Sequence, residues 1–292
     1  MYIPEVCFNR DKTNQAEFEI ISLESIYQRG HHQIDPEKAH RLGFFNLVYI
    51  SEGGGTHQVD FEEYAFGPGD FIFIQLDQVH AYDFSNQPKG FVLLFTQAFL
   101  DQVHSNMRLP SYTPTHLNKQ HSPIVSLDNE TQQRCQRLIT EIQLETALED
   151  KDPLIVMYLF SSLSLILHRL RPELRHDKLS EEQSRKFERF FELLQAQFTK
   201  TRDAAWYADQ IHTTYKTLNA ACKRATNQTA KQLIDAYTIL EAKRRLAISQ
   251  ISIQQLSYDL GFEDASNFVK YFKKRCEMTP SVFQKKISAP KL

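Results

Sequence analysis

Two stretches near the C-terminus carry side chains suited to contacting a nucleic acid. In the first, Lys216, Thr217, Asn219, Ala220 and Lys223 recur at helical spacing, and in the second Ala265, Ser266, Val269, Lys270, Lys273 and Lys274 do. Helical spacing gathers residues three and four apart onto one face. Ammonium, amide and hydroxyl groups on such a face are what a recognition helix offers to base edges and phosphates.

Each set belongs to the second of two short helices. In the first unit Asp203 is placed to cap a helix running through Ile211, His212 and Thr213 form the turn, and Thr214 caps the next helix, Tyr215 to about Thr226. Ala208, Ile211, Leu218, Ala221, Cys222 and Ala225 form the apolar stripe expected to join the pair. In the second unit Ser252 caps a helix with Gln255 three residues later, and Gly261 ends it. Asp264 then caps a helix whose core face is Phe268, Tyr271 and Phe272, with Lys273, Lys274 and Arg275 placed for phosphates. This is a helix-turn-helix outline, twice.

Residues 230–248, capped by Thr229, predict one connecting helix. Its 19 residues at ~1.5 Å each span about 28 Å. Successive major grooves on one face of B-DNA lie ~34 Å apart. The connecting helix is therefore expected to hold the two recognition helices about one turn apart.

Charge divides the same way. Residues 1–176 hold 14 Lys and Arg against 23 Asp and Glu, a net of -9, whereas residues 177–292 hold 20 against 13, a net of +7. A basic half beside an acidic one points to a nucleic-acid module attached to a module that does not bind it. The length of 292 residues suits two domains. No apolar run reaches the roughly 18 residues that span a bilayer. The start, MYIPEVCFNRDKTNQ, lacks a basic then apolar leader, so a cytoplasmic protein without a membrane partner is expected. Cys7, Cys135, Cys222 and Cys276 are far apart and show no metal spacing, which leaves buried free thiols.

Over residues 15–100 the chain reads as short strands: FFNLVYIS, THQVDF, YAF, DFIFIQL and GFVLLFT, punctuated by Gly53-Gly54-Gly55 and Gly67-Pro68-Gly69. Regularly spaced short strands predict a small sandwich or barrel. Beyond residue 120 the pattern turns helical. Asp128 caps a segment with Cys135, Leu138, Ile142 and Leu144 at roughly helical spacing, and Pro153 opens a second helix that is apolar almost all round. That helix is expected to be buried on more than one side, within the domain or at a subunit interface. Residues 171–180 read as a linker, and Ser180 with Gln183 as a capping box for the next helix.

These residues resemble the AraC/XylS family of bacterial transcription regulators. The second unit carries most of the likeness through Ser252-Ile253, Leu260-Gly261-Phe262, Ser266-Asn267-Phe268, Phe272-Lys273-Lys274 and Thr279-Pro280. The first matches through Ala208-Asp209, Thr214, Leu218 and Cys222-Lys223-Arg224, and the connecting helix through residues 242–246. The resemblance implies base contacts at Lys216, Asn219, Ala220, Ser266, Val269 and Lys270. Three positions depart from the family pattern: Asn227 and Glu277 stand where Gly is usual, and Ala220 where an Arg often reads a base.

The N-terminal half is similar to the family's cupin-type regulatory domain through His40, the run FFNLVYISEGGGTH, Gly69-Asp70 and Gln78-Val79-His80. The resemblance implies an α+β multidomain chain. A cupin-like β-barrel with dimerisation helices occupies residues 1–170. A tandem helix-turn-helix domain occupies 181–292, with units at about 203–226 and 252–275.

A catalytic cupin has His-x-His, then a carboxylate, then a late His. Here those positions fall on His40, Leu42, Asn46 and His80. Two imidazoles and an amide suit neither zinc nor iron, and His31, His32 and His57 join them only if the fold brings them near. No metal, no cofactor and no catalysis are expected. Strand alternation puts His40, Leu42, Phe44 and Asn46 on one face, which with His80 is either an effector pocket or a filled core. Arg41 falls on the opposite face. The expectation is a homodimeric regulator, an activator more than a repressor, that binds double-stranded promoter DNA and recruits RNA polymerase. Its N-terminal domain answers to a small molecule, or else to a protein partner or to dimerisation alone.

Overall fold

The computed structural model of the chain describes residues 5–6, 17–28, 35–83, 85–107, 122–171, 179–248 and 251–288. Cys7, His31, His32 and most of the expected linker lie outside them. The chain divides into two compact units, with the division between Arg175 and His176. No helix among the described residues is long and apolar enough to cross a membrane.

The N-terminal unit is built on two sheets of five strands each. One runs in the order β1 (Glu5–Val6), β3 (His40–Leu42), β8 (Val79–Ala81), β5 (Gly55–Val59), β6 (Glu62–Phe66). The other runs β10 (Ile124–Ser126), β7 (Asp70–Ile74), β4 (Phe45–Glu52), β9 (Lys89–Phe95), β2 (Phe18–Ser22). Among the described residues no ladder joins the two, so the expected closed barrel is a pair of open sheets. The reason lies partly at Gly43 and Phe44. The chain bends there and leaves the first sheet for the second, instead of continuing one long strand from His40.

Strand β4 is buried on both faces. Phe45, Leu47 and Tyr49 pack with residues of the helices, and Val48 and Ile50 with the inter-sheet core of Leu42, Phe44, Val59, Phe66, Ile72 and Val92. A strand covered on both faces needs no polar alternation, which is why this stretch reads as an almost continuous apolar run.

Three helices supply the covering layer: α2 (Gln97–Met107), α3 (Asn129–Ala147) and α4 (Pro153–Arg169); a short α1 (Leu23–Gln28) follows β2. Asp128 caps α3 by accepting from the Thr131 N–H, and Asp152 caps α4 with Pro153 in its first turn. On α3 the buried positions are Thr131, Cys135, Ile139 and Ile142, spacings of four, four and three. Leu144, expected in that stripe, steps off it and is 58% exposed. On α4, Val156, Met157, Phe160 and Leu163 face the core, while Leu154, Ile155, Tyr158 and Leu165 are exposed. Within its own unit α4 is thus buried on one side only, which removes the first of the two expected alternatives, burial within the domain. Its bare side joins Leu144 and Leu148 among the exposed large apolar residues.

The C-terminal unit is all helical: α5 (Glu181–Gln197), α6 (Ala204–Gln210), α7 (Tyr215–Thr226), α8 (Ala230–Ile248), α9 (Ile253–Asp259), α10 (Ala265–Cys276) and α11 (Pro280–Ser288). A polar side chain caps each start from α5 to α10. Ser180 and Gln183 form both halves of a capping box, Asp203 caps α6 and Thr214 caps α7. Thr229 and Gln232 exchange reciprocal bonds at α8, Ser252 caps α9 and Asp264 caps α10. The core comes from Phe187, Phe190, Phe191 and Leu194 of α5, Tyr207, Leu218, Cys222, Leu233, Ile234, Leu256, Phe268 and Phe272. Burial raises the Cys135 thiol to about 11 and the Cys222 thiol to about 12, as inert core cysteines require.

Candidate nucleic-acid interface and effector core

In the first helix-turn-helix unit the chain leaves α6 at Ile211 and turns through His212, whose φ of 54° is left-handed. Thr214 accepts from the Thr217 N–H at 3.1 Å, and the two threonine hydroxyls meet at 2.9 Å. Leu218, Ala221 and Cys222 then point inward, while Ala225 is half-buried. Lys216, Ala220 and Lys223 are exposed. Asn219 is half-buried, and its side-chain oxygen accepts from the Ala230 N–H at 2.9 Å, in the first turn of α8. That acceptor holds the fold together, so the Asn219 side chain is turned partly inward.

The second unit repeats the plan. Gly261, at φ +72°, closes α9, and Phe268 and Phe272 are wholly buried on α10. Ser266, Lys270, Lys273 and Lys274 are exposed, with Ala265 and Val269 half-buried beside them. Lys273 and Lys274 lie in the last turn, where cations also complement the helix dipole. Arg275, expected alongside them at phosphates, instead forms an ion pair with Asp235 of α8. Two adjacent lysines can stay hydrated, whereas the third cation is one turn on from Tyr271 and shares its inward side.

The connecting helix has the expected extent. Yet α7 is bonded to it at Ala230 and α10 at Asp235, only five residues on, or about 7.5 Å along the axis. The length of α8 therefore does not by itself separate the recognition helices; the angles at which they leave it do.

Asn227 and Glu277 end α7 and α10 in the left-handed region, at φ 57° and 59°. These are the two positions where the family usually has Gly. Asn tolerates that conformation, and Glu carries its steric cost.

In the N-terminal unit the five pocket candidates His40, Leu42, Phe44, Asn46 and His80 are all buried. They come together across two sheets rather than along one strand. His40 lies opposite His80 in the β3–β8 pairing, with ring centroids 4.2 Å apart. His57 Nε2 meets His80 Nδ1 at 3.1 Å, and the Asn46 amide donates to the Tyr82 hydroxyl at 2.7 Å. His57 and Tyr82 complete the cluster. Tyr82 was missed, though it shares parity with His80 two residues earlier. The register Gln58↔Ala81 and Val59↔His80 then sets His57 beside it.

Burial holds all three imidazoles neutral. It lowers His57 to about 3, with the neighbouring His40 adding to the effect, and depresses His80 and His40 as well. His40 Nδ1 lies 2.9 Å from the Lys38 carbonyl. Two polar atoms of the cluster, His80 Nε2 and Asn46 Oδ1, are buried with no hydrogen-bond partner among the described residues. His57 and His80 face each other through ring nitrogens, and among the described residues no three His, Cys, Asp or Glu side chains are arranged to hold a metal ion. Arg41, on the outer face of β3, forms an ion pair with Asp77 at 2.8 Å.

Two family descriptions match the chain: "AraC-like ligand binding domain" over residues 23–163 and "Helix-turn-helix domain" over residues 207–286. Among curated proteins, the HTH-type transcriptional activator RhaS of Escherichia fergusonii is 21% identical over 244 residues, covering 82% of this chain and 85% of that protein. The HTH-type transcriptional activator RhaR of Mannheimia succiniciproducens is 23% identical over 259 residues, covering 88% and 90%. Superposition on unsaturated-fatty-acid-bound ToxT of Vibrio cholerae covers 95% of this chain and 98% of that one at 12% identity, with a TM-score of 0.46.

Proposed function

We propose that this chain, with an AraC-like ligand-binding domain match ahead of a helix-turn-helix domain match, is a transcription regulator of the AraC type. It is a sequence-specific DNA-binding activator in which α7 and α10 enter adjacent major grooves. Lys216, Thr217, Ala220, Ala265, Ser266, Val269 and Lys270 face the bases, Asn219 braces the first recognition helix, and Lys223, Lys273 and Lys274 hold phosphates. The observation that carries this reading is the doubled unit itself: two capped helix-turn-helix pairs on one connecting helix, each with a lysine exposed on its second helix. Activation follows the relatives, which are named activators. Binding of the full chain to duplexes selected from a random library tests it, and failure to enrich any sequence would refute it.

The N-terminal unit is the regulatory part. A small molecule that reaches the inter-sheet core would meet His40, His57, His80, Asn46 and Tyr82 among apolar side chains, and its occupancy would shift the arrangement of the two units. The two unpartnered atoms, His80 Nε2 and Asn46 Oδ1, favour a ligand over a merely filled core. Thermal shift against a metabolite library discriminates the two, because a binder raises the melting temperature and a closed core gives none.

The bare side of α4, with Leu144 of α3 and Leu148 just past its end, is the dimer face. Leu154, Ile155, Tyr158 and Leu165 expose enough apolar surface to seat a second copy. Leu154→Glu with Tyr158→Glu converts the dimer to monomer in sedimentation equilibrium, and an unchanged dimer would place the interface elsewhere. The protein is cytoplasmic, has no catalytic role and needs no cofactor, and it works with RNA polymerase at promoters.

A further inference from the structure

The polar contacts between α8 and α10 centre on one carboxylate. Asp235 Oδ1 accepts from the Lys231 ammonium at 2.9 Å and from the Tyr271 hydroxyl at 2.7 Å, and Oδ2 accepts from Arg275. Lys231 and Asp235 are one turn apart on α8, as Tyr271 and Arg275 are on α10. The Arg275 guanidinium also lies 3.7 Å over the Tyr271 ring.

The circuit continues into the first unit. Lys231 donates at 3.0 Å to the carbonyl of Arg202, next to the Asp203 cap of α6. Arg202 in turn donates to the Leu260 and Gly261 carbonyls at 2.8 and 2.9 Å, at the turn between α9 and α10. Its guanidinium lies 3.9 Å from the centre of the Phe262 ring, and Phe262 packs against Tyr271 at 5.1 Å. Arg202, Lys231, Asp235, Tyr271 and Phe262 thus close a loop of contacts through both units and the helix between them.

We propose that Asp235 is the positioning residue that fixes the inclination of the second recognition helix against α8, and with it the spacing of the two DNA grooves that this chain reads. Among the described residues, Asp235 receives donors from both helices at once. Two bonds to residues one turn apart on α10 fix a rotation as well as a distance, which a single apolar contact does not. The first recognition helix is pinned on the same helix by Asn219 at Ala230. The relative orientation of the two recognition helices therefore runs through the six residues of α8 from Ala230 to Asp235, and Asp235 is its second anchor. Burial pushes the Asp235 carboxyl up, but the bonds from Arg275, Lys231 and Tyr271 outweigh it and leave the group below its usual range, an anion at neutral pH.

The proposal rests on the DNA-binding reading, and its test separates the two. Full-length protein is used with the duplex it selects from a random library, and with versions carrying one or two base pairs inserted between the two contacted grooves. Asp235→Asn, checked for folding by circular dichroism, loses about tenfold in affinity for the selected spacing and far less for the inserted ones, so spacing preference collapses. Tyr271→Phe, which removes a single hydroxyl, moves preference the same way by a smaller factor and serves alone if Asp235→Asn does not fold. Undiminished spacing preference in the folded variants, or an equal loss on every spacing, would overturn the proposal while leaving DNA binding intact. A wild-type chain that selects no duplex would overturn both.

Discussion

Gly261 lies against Thr199 so closely that a Cβ built on it would fall 1.6 Å from the Thr199 carbonyl oxygen. Its φ of +72° independently favours glycine. The turn of the second helix-turn-helix is thereby pressed against the chain segment that leads into the first, and Arg202 fastens it there through the Leu260 and Gly261 carbonyls.

Gly261→Ala must push that segment away and adopt a disfavoured backbone conformation. It is expected to destabilise the C-terminal unit by at least about 3 kcal/mol. Urea denaturation followed at the single tryptophan, Trp206 on α6, measures this, and a loss under half that size would mean the turn moves freely.

Glu277→Gly is expected to act in the opposite sense. Glu277 holds φ 59° at the end of α10, and glycine removes a steric cost of about 1 kcal/mol. Asn227→Gly at the end of α7 should gain less, because Asn already tolerates the left-handed region. A melting temperature that falls with Glu277→Gly would contradict the strain account.

The folding signals legible in the sequence were the local ones. Asp128, Ser180, Asp203, Thr214, Thr229, Ser252 and Asp264 each cap the helix they were expected to cap, since a cap and its partner lie within three residues of each other. What the sequence hid were long-range pairings. Nothing in the run from His40 to Asn46 shows that the chain changes sheets at Gly43, or decides between the sandwich and the barrel that the strand spacing allowed. Asn219 and Arg275 carry the chemistry of DNA contacts, and only their distant partners, Ala230 and Asp235, reveal what they hold. Leu144 failed differently: at the end of α3, two residues past Ile142, it is carried off the stripe by the helical step.

Acid is expected to unfold the N-terminal unit through its histidines. His40, His57 and His80 are neutral in the fold, with His57 lowered to about 3, while an unfolded imidazole titrates near 6.5. Below that pH the unfolded chain binds more protons. Their contribution to stability is whole above about pH 6.5 and is lost as pH falls, each histidine costing ~1.4 kcal/mol per unit. The thermal midpoint of this unit should drop between pH 7 and 5, and His57→Gln should reduce that slope. A flat profile over this range would mean that the cluster takes up protons in the fold as readily as in the unfolded chain.

The most direct measurement is fluorescence anisotropy of the full chain on its selected duplex and on a scrambled one, across a salt series, for wild type, Lys270→Ala and Lys274→Ala. If α10 lies in a major groove, Lys270→Ala weakens the selected duplex by ~1–3 kcal/mol and relaxes discrimination at one base pair. Lys274→Ala weakens both duplexes alike and lowers the salt slope by about one. Wild-type affinity and salt dependence in both variants, on both duplexes, would contradict the assignment of α10 as a DNA-reading helix.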